Sequence, residues 1–94
     1  MKHEKHASMV DDEMFFCDVM NELRKARKHH PPIFSIHEGY AIILEEVDEL
    51  WDQVRKRTSK RDLDNVYKEL IQIAAMTART WVDVYGKQRE RDHE

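Results

Sequence analysis

Residues 35–57, SIHEGYAIILEEVDELWDQVRKR, read as one amphipathic helix. Taking ~100° per residue, Tyr40, Ile43, Leu44, Val47, Leu50, Trp51 and Val54 gather into a stripe centred on Val47, and that stripe is assigned to the core. Glu38, Glu45, Glu49 and Gln53 fall on the far side, with Glu46 on the flank between. Ile42 lies among the acids, where a solvated face would more often carry a lysine, so this side is expected to be covered as well. Ser35-Ile36-His37-Glu38 has the form of a capping box, with the serine accepting from the backbone and the glutamate reaching back. The helix should therefore open at Ile36 and run to about Arg57.

Upstream, Pro31-Pro32 stops a first helix spanning about Met9 to Lys28, capped by Ser8, with Met9, Phe16, Val19, Met20 and Leu23 on one side. Its end, Arg24-Lys25-Ala26-Arg27-Lys28-His29-His30, suits the negative pole of the helix dipole; the functional alternative is a patch that steers phosphate. Downstream, Thr58-Ser59-Lys60-Arg61 reads as a polar connection to a third helix that begins at Asp62 or Asp64 and is terminated by Gly86. Between Leu70 and Tyr85 this helix is apolar nearly all round, interrupted only by Gln72, Thr77, Arg79, Thr80 and Asp83, the pattern of a helix in the middle of a bundle. Two glycines and two prolines leave strands almost nowhere to go. The fold class is all-α: a bundle of three long helices in one domain, residues 9–86, between a flexible N-terminus, 1–8, and a charged tail, 87–94.

A chain of 94 residues buries a modest fraction of its surface, so completion of the bundle by oligomerisation is expected. Charged residues make up 37% of it, yet the net charge is only −3, which supplies no bulk attraction to nucleic acid or to a membrane surface. The single cysteine, Cys17, forms no internal disulfide, suits a reducing compartment and reads as a packed small hydrophobe. No apolar run reaches the ~18 residues of a membrane span, and no signal-peptide core follows Met1 to His6, so the expected location is cytoplasmic. Trp51 and Trp81 are expected in the core.

The chemistry lies in the acids. Carboxylates at i and i+3 or i+4 project together from a helix, so Glu45, Glu46 and Glu49 would converge on a hard dication, with Glu69 closing from the third helix. Glu69 shares its edge with Ile73 and Met76, loses water there, and needs a proton or a cation. Gln72 and Asp83 lie along roughly the same edge and would look into the same cleft. Oxygen ligands alone suit Mg²⁺, with Mn²⁺ as a substitute; no thiolate set and no Glu-x-x-His pair is present on these two helices, which excludes the di-iron bundle pattern. Glu46 is the first candidate for a catalytic base, with Glu49 beside it. Arg79, Lys56 and Lys60, together with Arg57 and Arg61, are the candidate cations for phosphate oxygens, and His37 for contact with a base.

Glu45-Glu46-Val47-Asp48-Glu49, followed some twenty residues later by Glu69-Leu70-Ile71-Gln72, resembles the catalytic core of the MazG-like nucleotide pyrophosphohydrolases. The likeness extends through His37-Glu38-Gly39-Tyr40 and Ala74-Ala75-Met76. It implies an α-helical bundle assembled as a homodimer or homotetramer. It also implies Mg²⁺ held by Glu45, Glu46, Glu49 and Glu69, and cleavage of a normal or modified (deoxy)nucleoside triphosphate to the monophosphate and pyrophosphate. The family pattern has an aspartate where this chain has Gln72, a poorer ligand for a hard dication. Two other classes are considered. One is a non-catalytic helical oligomerisation, interaction or nucleotide-binding module with a degenerate metal site. The other is a nucleic-acid binder using the two basic segments, against which the net charge argues.

Overall fold

The computed structural model describes residues 11–86. Helix α1 spans Asp12–His29, α2 spans Ile36–Val54, a 3₁₀ turn covers Thr58–Lys60, and α3 spans Leu63–Trp81 before a π-helical turn, Val82–Gly86. Among the described residues there is no strand, as the composition predicts, and no helix is long and apolar enough to cross a membrane.

Each helix starts where a short polar side chain can take an orphan backbone donor. Asp11 accepts from the Glu13 N–H at 2.7 Å and so holds the capping role that the sequence suggested for Ser8; Ser8 and Met9 lie outside the described residues, as do the expectations for 1–8 and 87–94. Ser35 Oγ accepts from the Glu38 N–H at 3.1 Å, and Glu38 Oε1 accepts from Phe34 N–H at 2.6 Å, a capping box whose return bond lands one residue before the cap. Asp62 caps α3 by accepting from Asp64 and Asn65 N–H at 3.0 and 3.3 Å.

Helix α2 ends at Val54, short of Arg57. The physical reason is the pair of bonds that seize its last turn: buried Gln53 Oε1 accepts from the Asp62 N–H at 3.4 Å, and an Arg61 guanidinium NH₂ donates to the Val54 carbonyl at 2.6 Å. The chain must reverse to make them. At the far end of α3, Gly86 does not adopt the left-handed cap expected of it, and the helix widens into the π turn instead.

Helix α3 is central. It packs against both α1 and α2, which hardly touch one another, so its nearly all-round apolar surface is used on two sides. Val19 and Ala26 of α1 meet Ile71, Ala75 and Met76 of α3, and Phe15, Leu23, Ile42, Ile43, Tyr67 and Ala74 pack around them. Helices α2 and α3 approach closely at Gly39, where a Cβ would collide with the Thr80 side chain, so glycine suits this position. Tyr67 O–H donates to Asp18 Oδ2 at 2.5 Å and ties α3 to α1; burial, then that bond and the Asp18 charge, push the phenol up to about 12.

Two amphipathic faces lie differently from the sequence expectation. On α1 the inward side is Phe15, Val19, Leu23 and Ala26, whereas Phe16 is 65% exposed and Met20 also faces out. On α2 the inward side is Gly39, Ile42, Glu46 and Gln53, and the supposed core stripe looks outward: Tyr40 is 65% exposed, Trp51 58%, and Leu44, Val47 and Val54 are exposed too. Only Ile43 and Leu50 of that stripe are half-buried. Ile42 among the acids was therefore the better guide to the face that meets α3. Trp81 is likewise exposed, with its ring 5.6 Å from Tyr85, and Cys17 is exposed rather than packed.

A candidate metal centre and its cleft

Because α2 turns its flank rather than its apolar stripe toward α3, the acids are drawn inward. One carboxylate oxygen from each of Glu45, Glu46 and Glu49 lies within 4.8 Å of the others, the convergence that helical spacing predicts. Glu45 and Glu49 remain exposed while Glu46 is half-buried, and Glu69, also half-buried, approaches Glu46 and Glu49 from α3 without joining the tightest group.

The electrostatics follow from that crowding. Burial, then the charges of Glu49, Glu69 and Glu45, then a hydrogen bond with Glu49, push Glu46 from 4.5 up to about 7. Burial and the Glu49 charge also raise Glu69, opposed by Lys68 and by a hydrogen bond from Glu46. A proton held on Glu46 thus partly relieves a group of four acids, and a dication would relieve it more completely. The donor set, all carboxylate oxygen and without sulfur or imidazole, fits Mg²⁺ or Mn²⁺.

Beside the cluster, the gap between α1 and α2 forms a cleft of about 490 Å³ over α3, a size common for small-molecule sites. Glu38, Ile42, Glu45 and Glu46 line it from α2; Gln72, Met76 and Arg79 from α3. From α1 and the following loop come Glu22, which the sequence did not single out, and Lys25, Ala26, His29, His30 and Pro31, four of them from the basic run whose functional alternative was a phosphate-steering patch. Their signal was present, since Glu22, Ala26 and His29 follow helical spacing, but the basic run was equally explained by the helix dipole.

The other sequence-selected residues divide. Gln72 faces the cleft, half-buried. Lys56, Lys60 and His37 are exposed and do not line it; Lys56 Nζ donates to Gln53 Oε1 at 3.5 Å. Arg79 borders the cleft but is buried and already engaged: one guanidinium NH₂ donates to the Pro31 carbonyl at 2.7 Å, and Nε stands 3.7 Å from Asp83 Oδ2. Asp83 serves the same structural lock rather than the cleft. Its Oδ1 accepts from Arg27 at 2.5 Å and its Oδ2 from the Ile33 N–H at 2.9 Å.

No family model matches the chain, and neither the curated proteins nor the solved structures compared with it give a match.

Proposed function

We propose that the chain is a Mg²⁺-dependent nucleoside triphosphate pyrophosphohydrolase of the MazG-like type, cleaving a (deoxy)NTP to the monophosphate and pyrophosphate. The observation that carries this reading is the convergence of Glu45, Glu46 and Glu49 beside Glu69 at the edge of a cleft of substrate size. The order and spacing of these acids are also those that resemble the family. Glu45, Glu46, Glu49 and Glu69 would hold the metal. When bound, it supplies charge neutralisation for the triphosphate and acidifies water. Glu46, between Glu49 and Glu69, would take a proton from a water attacking the α-phosphorus. The new phosphorus–oxygen bond forms as the bond to the bridging oxygen breaks, and pyrophosphate carries that oxygen away. Gln72, in the cleft wall, orients the nucleotide through its amide.

The direct test is pyrophosphate release from a panel of ribo- and deoxynucleoside triphosphates with Mg²⁺, Mn²⁺ or chelator. Metal-dependent release is expected; none with any substrate would favour the non-catalytic helical module. Thermal melting tests the centre itself. Because Glu46 is raised from 4.5 to about 7 in the fold, its contribution to stability is fully present below 4.5 and is lost as pH rises through about 7. Glu69 acts in the same direction, while Lys68 opposes it. Metal-free protein should therefore lose Tm across this interval, and the rise in Tm on adding Mn²⁺ should grow, because binding displaces the proton. An Mn²⁺ effect that is absent, or constant with pH, would count against the centre.

The outward stripe of α2 is the face for a second copy, giving the homodimer or homotetramer. Tyr40, Leu44, Val47, Trp51 and Val54 alternate four and three residues apart, the spacing that seats one helix against another. Val47→Glu should shift the chain to monomer in sedimentation or light scattering. An unchanged mass would place the contact elsewhere.

A further inference from the structure

We propose that Lys25, His29 and His30 form the phosphate-binding wall of the cleft, taking the oxygens of a polyphosphate whose metal rests on Glu45 and Glu46. This rests on the reading of the acids as a metal centre and adds the residues that select the anion. Three observations carry it. First, the three side chains line the same cleft as Glu45 and Glu46, but from α1 rather than α2. Second, the opposed charges do not neutralise each other: among the described residues the ion pairs are Arg27–Asp83, Arg55–Asp52 and Arg79–Asp83, and none joins Lys25, His29 or His30 to a carboxylate within 4.0 Å. Third, α1 and α2 hardly touch, so the α1 wall, where Glu22 stands among Lys25, His29 and His30, and the acidic α2 wall flank a gap that α3 floors with buried Met76.

A ligand that fills such a gap must present a cation to one wall and anionic oxygens to the other. A metal-chelated polyphosphate does both. Lys25 supplies an ammonium and the imidazoles supply N–H donors whether or not they carry charge. Arg79, one of the cations the sequence proposes for this task, already donates to Pro31 and faces Asp83, which leaves Lys25, His29 and His30 as the basic side chains on the cleft that make no ion pair among the described residues. Lys25 and His29 stand one helical turn apart and share a side of α1. Lys28, in the same basic run, does not line the cleft and provides an internal control.

The test is calorimetric titration of the full chain with tripolyphosphate in the presence of Mn²⁺, and with Mn²⁺ alone. Lys25→Gln, and separately His29→Gln with His30→Gln, should weaken tripolyphosphate binding about tenfold or more. Lys28→Gln should leave it unchanged, and Mn²⁺ uptake should persist in every variant. All of the replaced side chains are exposed, and circular dichroism checks that helicity is kept. Unchanged tripolyphosphate affinity in the Lys25 and His variants would overturn the assignment, as would an equal loss in Lys28→Gln, the mark of diffuse attraction. Wild-type chain that takes Mn²⁺ but no tripolyphosphate would overturn the wall and spare the metal centre. Chain that takes neither would overturn both.

Discussion

Alanine in place of Glu46 or Glu69 is expected to lower metal-dependent pyrophosphate release by about 10²-fold or more while leaving helicity intact. Loss of a residue that merely orients a ligand typically costs 10- to 100-fold, and a ligand that also stands where a proton must go should cost at least as much. The two variants should part from ordinary core damage in their stability. Glu46 is pushed up by burial and by three neighbouring acids, so deleting Glu69 removes one of the repulsions that the fold tolerates. Metal-free Glu69→Ala should melt no lower than the wild type near neutral pH, and should lose most of the rise in Tm caused by Mn²⁺. Inactivity with a lowered metal-free Tm would instead mean that Glu69 supports packing. Full activity in both variants would dismiss these acids from the reaction.

The sequence and the fold agree most closely on α3. A helix apolar on nearly every side can be satisfied only by neighbours on more than one side, and α3 has α1 and α2. Convergence of Glu45, Glu46 and Glu49 was equally legible, because it depends only on spacing within one helix. Periodicity does not say which neighbour an apolar stripe is for. Helix α2 carries its larger apolar side outward and its acid-flanked side, with Gly39 and Ile42, against α3, so the exposed stripe is not part of this chain's own core and would be covered by the proposed second copy. The same limit left the α1 wall of the cleft undecided, its basic run serving either as partner of a helix dipole or as a patch that steers phosphate. It also misdirected Arg79, whose charged and carbonyl partners are a loop carbonyl 48 residues away and Asp83 in the π turn that follows the helix. Among these partners only Asp83, at i+4, was within reach of a sequence pattern.

That lock makes Asp83 the residue whose loss should most damage the fold. Its carboxylate takes the Arg27 guanidinium at 2.5 Å and the Ile33 N–H at 2.9 Å, and it faces the buried Arg79 at 3.7 Å. Burial alone would raise its pKa. The hydrogen bonds from Arg27 and Ile33 and the charges of Arg27 and Arg79 outweigh it and hold the carboxyl below 3.8. Asp83→Asn keeps the shape but leaves the Arg79 charge buried and uncompensated, which typically costs about 3–5 kcal/mol. In a domain of this size that corresponds to a fall in Tm of on the order of 15 °C. A group with a lowered folded pKa contributes stability that is present above 3.8 and is lost as pH falls through the folded value, so part of the wild-type loss in acid should vanish in the variant. Adding Arg79→Met removes the stranded charge, and the double variant should recover much of the loss, since the two effects are not additive for residues in one network. Because Pro31 and Arg79 also border the cleft, Asp83→Asn should raise KM for the nucleotide even at temperatures where the chain stays folded. A Tm within a few degrees of the wild type would mean that Arg79 finds sufficient compensation from Pro31 alone, and that the loop between α1 and α2 is held by something other than this carboxylate.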